Sequence, residues 1–422
     1  MRYEKSGVLT ISYPELTLSY ETLKLPTGDM AKRRTFLYGA AGALGFGGSW
    51  LAAQQGFSST SQQTYGSDQG LVASKNHLSN DDNRRASLSD RAASKGLLYG
   101  AAVTAHRISS DASFAACVAR ECNILVAEID LKWKALRPAP DQFDFSRSDR
   151  LLDFTQRHNM QFRGHTLVWH NGLPDWFEST VTADNAEQFL QTHIQTVVSQ
   201  YAGKMHSWDV VNEAILPAHG RQNGLRGTPW LSLLGESYIE IAFETAAQAD
   251  PDAMLVYNDF GLDYDISEEE RKRTAVLELL SRLQSRGIPI HALGIQAHLH
   301  GDLTHFNPDK LRSFIQDAAS MGLKVLITEL DVSDRRLPRD IDTRDRQVAE
   351  VYEAYLTAAL AEPSVIAVLT WGLSDRYTWL THFQPRSGGA AVRPLPLDDR
   401  LQPKRAWRAI ADAFDEMSER DG

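Results

Sequence analysis

From residue 96 onward the chain alternates between two hydrophobic rhythms. Short runs dense in apolar and β-branched residues occupy 97–102, 124–129, 161–166, 207–211, 254–258, 292–296, 324–328 and 366–370. Between and after them, apolar residues recur at three- and four-residue intervals over 112–121, 147–158, 184–202, 231–249, 268–287, 308–322, 343–362 and 404–417. A near-continuous apolar run of this length suits a strand buried on both faces, whereas three-four spacing gives a helix one apolar stripe. Eight strand-then-helix units in succession predict parallel strands joined by crossover helices, and eight is the number that closes an α/β barrel of the TIM (β/α)8 type. An open doubly wound sheet would want a glycine-rich phosphate turn after its first strand. Gly100-Ala101-Ala102-Val103 provides none, so a single barrel domain is expected over 95–418.

The first ninety residues lack this rhythm. Lys32-Arg33-Arg34-Thr35-Phe36-Leu37 opens a stretch rich in Gly, Ala and Leu that runs to Ala53. A basic start, a short apolar centre and small residues at the end describe an export signal, and paired arginines before x-Phe-Leu resemble the twin-arginine type. The stretch is short and glycine-rich beside the ~20 apolar residues a spanning helix needs, so no stable membrane span is expected. Residues 1–53 read as an N-terminal extension and signal, with Met30 an alternative start. Residues 54–94, rich in Ser, Gln, Asn and Asp, read as a linker too polar to bury a core. The destination is then periplasmic or extracellular.

Charge divides along the same line. The 422 residues carry 44 Lys and Arg against 54 Asp and Glu, a net of −10. Residues 1–92 hold 10 basic and 8 acidic side chains and the remainder hold 34 and 46, so the acidic surplus belongs to the barrel. That balance speaks against a nucleic-acid partner and for a neutral substrate over a polyanion. Two cysteines, Cys117 and Cys122, are too few for a disulfide scaffold or a Cys-rich zinc site and read as small core residues. Five of the nine tryptophans (133, 169, 176, 371 and 379) fall at or just past predicted strand ends, at the rim of the expected barrel. A monomer is expected.

Barrel enzymes keep their active sites at the C-terminal strand ends. Just past the successive runs stand Glu128 and Lys132, then His165 and Trp169, Asn212 and Glu213, Asn258 and Asp259, Gln296 and His298, Glu329 and Asp331, and finally Trp371 and Trp379. A merely solvated rim would use Lys, Ser and Glu, not Trp and His. Glu213 and Glu329 follow the fourth and seventh runs, across the mouth from each other. Paired carboxylates flanking a cleft suit glycosidic hydrolysis, one protonating the leaving oxygen with a raised pKa and the other attacking carbon with a lowered one. The Asn212 amide can hold a sugar 2-hydroxyl. His298 can donate to Glu329 while Asp331 orients the imidazole, and donation to the charged carboxylate favours the nucleophilic form.

Two other readings share this fold. His298-Leu299-His300 with His165 and His170 resembles a metal cluster, but the first strand lacks a His-x-His and the pair 165/170 is not an i,i+4 helical pair. No metal and no cofactor are therefore expected. A sugar-binding protein without catalysis would have no need of both glutamates.

Seven segments together resemble glycoside hydrolase family ten, the endo-β-1,4-xylanases. They are Arg163-Gly164-His165-Thr166-Leu167-Val168-Trp169-His170, Trp208-Asp209-Val210-Val211-Asn212-Glu213-Ala214, Tyr257-Asn258-Asp259, Gly294-Ile295-Gln296-Ala297-His298, Ile327-Thr328-Glu329-Leu330-Asp331, Trp371-Gly372 and Leu401-Gln402-Pro403-Lys404. They run in family order over about 95–417. The resemblance implies a retaining mechanism with Glu213 as general acid/base, Glu329 as nucleophile and carboxyl groups roughly 5–5.5 Å apart. It implies that His165, Trp169, Asn212, Gln296, His298, Trp371 and Trp379 line the subsite at the cleaved bond. Glu128 and Lys132 would hold the next sugar on the non-reducing side of a β-1,4-linked polysaccharide or oligosaccharide. A glucanase or another β-glycosidase with the same two glutamates fits equally well.

Three departures from the family pattern cluster in this reading. Ile129 stands where the family has an asparagine, Gly172 where it has a glutamine, and Phe260-Gly261 where it has Tyr-Asn. Each lost hydrogen bond to an uncharged sugar is worth about 0.5–1.5 kcal/mol. The subsite one sugar away from the cut is therefore expected to be less polar than usual.

Overall fold

The structure is a computed structural model that describes residues 86–420, Gln222 excepted. The expected extension and signal (1–53) and the linker up to residue 85 lie outside the described residues. Among the described residues nine parallel strands form the sheet: β1 Leu98–Val103, β2 Ile124–Ala127, β3 Gln161–Val168, β4 Ser207–Asn212, β5 Met254–Asp259, β6 Ala292–Ile295, β7 His298–His300, β8 Lys324–Ser333 and β9 Val365–Thr370. Their order is β6-β5-β4-β3-β2-β1-β9-β8-β7, and β6 also pairs with β8, which closes the barrel. β6 and β7 are two pieces of one barrel position, each running beside β8. The break falls at Gln296-Ala297, where Ala297 takes φ 60°. The expected eight strands are thus all present, the sixth interrupted at its catalytic end.

The barrel has two kinds of interior. Val126, Val256, Leu326 and Leu369 fill its axis with Ala102 and Ile124, capped by Trp371. On the β3–β4 side the filling is ionic instead. Trp208 and Phe162 pack outward against the helices, so their neighbours Arg163 and Asp209 point inward. Arg163 donates to both Asp209 oxygens, and both side chains are fully buried. Gly164 permits the outer layer to close, because a Cβ there would lie 2.0 Å from the Trp208 ring.

Where helices were expected they form, with one break. The stretch 231–249 is two helices, Pro229–Leu234 and Ser237–Ala249, parted at Gly235 with φ 64°. Glycine adopts that left-handed conformation without the Cβ cost that would oppose it elsewhere. The end of the expected linker is also different. Residues Leu88–Ala93 form a helix under a Ser87/Asp90 capping box, with Leu88 and Ala92 fully buried. The Leu88 N–H donates to the Glu121 carboxylate at 3.1 Å, tying this helix to the barrel. Ser89, Asp90 and Arg91 separate Leu88 from the two alanines, so no apolar stripe shows in the sequence pattern and the segment reads as linker. Cys117 and Cys122 are both buried and free.

Candidate active site

The sites of interest sit where strands lose their regular register. β3 slips between His165 and Val168, β4 between Asp209 and Val211, and β8 between Ile327 and Leu330. Such irregularities re-aim side chains at a barrel rim. Glu213, one residue beyond β4, has φ 58°. A glutamate resists the left-handed region by about 1–3 kcal/mol, so neighbours must hold it there. Its N–H donates to the Asn258 carbonyl at 2.9 Å and its carbonyl accepts from Arg226 Nε at 2.7 Å.

Glu213 and Glu329 lie in one hydrogen-bond lattice. Gln296 Nε2 donates to Glu213 Oε1 and to Asn212 Oδ1, each at 3.2 Å. Asn258 Nδ2 donates to the same Asn212 oxygen at 2.9 Å and to Glu329 Oε1 at 2.8 Å. Asn212 Nδ2 donates to Glu213 Oε1 at 3.1 Å. Asn258 is itself oriented by the Thr328 hydroxyl, which donates to its Oδ1 at 2.7 Å. Gly294 makes room for this amide: a Cβ there would stand 2.2 Å from Asn258 Oδ1.

His298 stands between two carboxylates. Its Nε2 lies 3.2 Å from Glu329 Oε2 and its Nδ1 3.0 Å from Asp331 Oδ1. Burial alone would push its pKa down, but the Asp331 and Glu329 carboxylates outweigh it and raise it to about 10. The ring is therefore an imidazolium at neutral pH, donating from both nitrogens. The other Asp331 oxygen accepts from the Trp379 indole N–H at 2.7 Å. His165 Nδ1 is held by Asp209 Oδ2 at 2.8 Å and lies 3.9 Å from Glu329 Oε1. Trp371 packs edge-on against both His165 and His298.

The Glu213 pocket departs from expectation. Burial raises the pKa of its carboxyl, but His170, Arg226, the Trp169 indole and Gln296 together bring it below the ordinary value rather than above it. His170 Nδ1 and Arg226 Nη2 both stand 3.8 Å from Glu213 Oε2, and among the described residues neither atom has a hydrogen-bond partner. Burial, with nearby Arg226 and Lys272, outweighs the pull of Glu213 and brings the His170 pKa down to about 4, so its ring is neutral at pH 7. Near neutrality Arg226 is therefore the charged group of the two beside Glu213 Oε2.

On one flank Lys132 lies 4.7 Å from the centre of the Trp169 ring and 5.8 Å from that of Trp371. Burial lowers the pKa of this ammonium, while Glu329, Glu128 and Glu213 hold it up. Glu128 is paired with Arg107. The departures from the family pattern do not share one place. Ile129 is 40% exposed beside Lys132, and Gly172, at φ 70°, would bring a Cβ within 3.7 Å of the Lys132 side chain. Phe260 lies elsewhere, with Lys272 Nζ 3.7 Å from its ring centre and Arg226 at 5.5 Å. It belongs with the Glu213 pocket.

The structure brings together Glu213, Glu329, Asn212, Gln296, His298, Asp331, His165, Trp371 and Trp379, with Lys132, Trp169 and Glu128 alongside. Two of the five rim tryptophans face the core instead. Trp133 is 2% exposed, donates to the Leu167 carbonyl and stacks on His193, while Trp176 donates to the Arg137 carbonyl and packs on Phe189. The sequence pattern assigns no role to Asn258, Arg226 or Asp209, which the structure places in this lattice or behind it. Asn258 and Asp209 stand inside the segments that resemble the family, a usable signal. Arg226 is thirteen residues past Glu213 in a loop and gives none.

The sequence profile of glycosyl hydrolase family 10 matches residues 87–413. A β-1,4-xylanase of Dictyoglomus thermophilum is 37% identical over 297 residues, covering 68% of this chain and 81% of its own. The endo-1,4-β-xylanase C of Paenibacillus barcinonensis is 34% identical over 340 residues, covering 74% of this chain, which spans only 30% of that relative's length. Crystal structures of native xylanase 10B from Thermotoga maritima and of xylanase 10B from Thermotoga petrophila with xylobiose superpose with TM-scores of 0.71 and 0.72. They share 32% and 31% identity, and the alignments cover 78% and 81% of this chain and 98% and 99% of theirs. Together with the paired glutamates at the barrel mouth, these matches establish that the chain belongs to glycosyl hydrolase family 10.

Proposed function

We propose that this protein hydrolyses β-1,4-xylosidic bonds within xylan by double displacement, with Glu329 as nucleophile and Glu213 as acid/base. The observation that carries the reading is the hydrogen-bond lattice linking two buried carboxylates, one of them fixed by an imidazolium. Relatives named as xylanases, one of them crystallised with xylobiose, support the sugar.

In the first step a Glu329 oxygen attacks the anomeric carbon and the bond to the leaving sugar breaks. Glu213 gives its proton to the glycosidic oxygen that departs with the leaving sugar. In the second step Glu213 takes a proton from water, the water oxygen attacks the anomeric carbon, and the glycosyl ester to Glu329 breaks. Glu213 must therefore gain a proton before the first step. A bound sugar excludes water from its pocket, and the Glu329 charge opposes a second charge nearby, so both effects raise its pKa. Esterification removes the Glu329 charge and so lowers the Glu213 pKa again, as a base needs. Asn212 donates to the sugar 2-hydroxyl, and Trp371 and Trp379 wall the ring. Glu128 and Lys132 hold the next sugar. With Ile129 exposed beside them, unsubstituted linear xylan binds weakly there relative to a decorated chain.

Proton NMR of the first product formed from a xylo-oligosaccharide tests the mechanism: β-anomer is expected first, and α-anomer would overturn it. A panel of linear xylan, substituted xylan and β-glucan tests the substrate. Lower KM on substituted xylan is expected, and faster cleavage of β-glucan would replace the sugar assignment.

The Lys32–Leu37 pattern supports export by a twin-arginine route, and the working protein is taken to be a monomer. Replacing Arg33 and Arg34 by lysine should retain the protein inside the producing cell. Unchanged export would contradict the route. Among the described residues no helix is long and apolar enough to cross a membrane.

A further inference from the structure

One cation at the mouth of the barrel belongs to none of the motifs that mark the site. β1 and β2 pair through Val103 and Ala127, so the segment after β1 lies beside Glu128. That segment is the helix Ala105–Ser110. Its N-cap, Thr104, accepts from the Arg107 N–H at 3.3 Å, and the Ala105 N–H donates to Asp130 Oδ2 at 2.7 Å. The helix is thus fixed to the end of β2, and Arg107 Nη1 donates to Glu128 Oε2.

The guanidinium is held on a second side. It lies 5.3 Å from the centre of the Tyr377 ring. Tyr377 donates its hydroxyl to Asp111 Oδ2 at 2.8 Å, and the same oxygen accepts from Arg376 at 2.7 Å. The position of the guanidinium is therefore set before any sugar arrives. A quarter of the Arg107 side chain remains exposed. A guanidinium carries five N–H donors, and Glu128 engages the Nη1 edge. The neighbouring rim position, Ile129, is exposed and has no side-chain donor.

A carboxylate and a guanidinium side by side present an acceptor next to a donor. That pair matches the vicinal hydroxyls of a pyranose, one donating to the carboxylate and the other accepting from the guanidinium. We propose that Arg107 is a binding residue for the second sugar on the non-reducing side. It donates to a hydroxyl of that sugar while fixing the Glu128 carboxylate, and so supplies a donor that the Ile129 side chain cannot. The proposal rests on the reading of Glu128 as a second-sugar residue. It makes Arg107 a specificity residue for neutral β-linked chains at least two sugars long on that side of the cut.

The test compares a nitrophenyl β-xyloside, which leaves the second subsite empty, with a nitrophenyl β-xylobioside, which fills it. The readout is the ratio of kcat/KM between the two. Arg107→Met should lower the xylobioside-to-xyloside ratio roughly tenfold to a hundredfold, the range for a hydrogen bond to a charged group. Arg107→Lys keeps the charge without the planar fork and should fall between; it also serves if the methionine variant does not fold. Glu128→Gln is the control for the subsite. An unchanged ratio in both Arg107 variants, with a lowered ratio in Glu128→Gln, would overturn the role of Arg107 and leave the subsite standing. Equal losses on both substrates in the Arg107 variants would make Arg107 a rim support and overturn the proposal as well. An unchanged ratio in Glu128→Gln would remove the subsite reading itself.

Discussion

Both glutamates are buried, but their pockets are built on different plans. Glu329 is gripped at both oxygens, Oε1 by the Asn258 amide and Oε2 by the His298 imidazolium, and its N–H donates to the Gln296 carbonyl at 3.0 Å. Glu213 is gripped at one oxygen. Its Oε2 faces His170 and Arg226 across 3.8 Å, beyond hydrogen-bond reach. A nucleophile needs one orientation and a constant charge. An acid/base must pick up and give back a proton, and a free oxygen beside unpaired donors leaves room for that exchange. The difference in furnishing is thus the physical basis for giving the two carboxylates different roles.

The largest expected effect breaks the symmetry directly. Glu329→Ala should reduce kcat by about four orders of magnitude or more on every substrate, because no covalent intermediate forms. Glu213→Ala should cost about 10²–10⁴-fold on xylan, the usual value of acid–base assistance. On a nitrophenyl glycoside, whose leaving group needs no proton, its first step should be nearly spared. Steady-state and burst kinetics on both substrates read the contrast.

His298→Gln is expected to come next. It leaves Glu329 and Asp331 buried and facing each other without the cation between them, a change worth about 3–5 kcal/mol when a buried partner is removed. The pH dependence has a fixed sign. His298 has a folded pKa of about 10 against an ordinary 6.5, so its stabilisation is complete below pH 6.5 and lost as pH rises through 10. Melting temperatures from pH 6 to 10 should fall for the parent protein and flatten for the variant.

Arg226→Gln should act on the other pocket alone. Removing the cation beside Glu213 raises the pKa of that carboxyl, so the alkaline limb of kcat/KM should move to higher pH. Loss of its bond to the Glu213 carbonyl should cost roughly tenfold in rate. An unmoved limb would mean that Arg226 holds only the backbone.

Much of this division was legible in the sequence, because strands and helices announce themselves by period and the rim residues by chemical type. Glu213, Glu329, His298 and Asp331 follow directly from strand ends. What period cannot reveal is which polar group joins two others. Asn258 sits at a strand end like several amides, and only the positions of Asn212, Thr328 and Gly294 make it the bridge. The direction of the Glu213 pKa was likewise out of reach, since it depends on Arg226 and on the neutrality of His170. Trp133 and Trp176 stand just past strand ends like Trp169, Trp371 and Trp379, yet the helix carrying His193 draws the first into the core.

That helix supplies the smallest effect and a control lying outside both pockets. His193 is fully buried, stacks on Trp133 at 3.7 Å, and neither ring nitrogen has a hydrogen-bond partner among the described residues. Burial and then Arg137 hold its pKa well below 6.5. The unfolded chain therefore binds the proton first, and stability conferred by the neutral ring is lost as pH falls below 6.5. His193→Phe keeps the stacking and removes the unpaired nitrogens. It should raise stability by about 1 kcal/mol at pH 7 and flatten the acid slope, with kcat unchanged.

The assignment of nucleophile and acid/base can be read from a trapped intermediate. A nitrophenyl 2-deoxy-2-fluoro-β-xylobioside slows both steps, and its good leaving group lets the glycosyl ester accumulate. Intact mass followed by peptide mapping should find one fluoroxylobiosyl group, esterified to Glu329. An ester on Glu213, or turnover of the same reagent with no covalent species at any time, would contradict the division of labour between the two pockets.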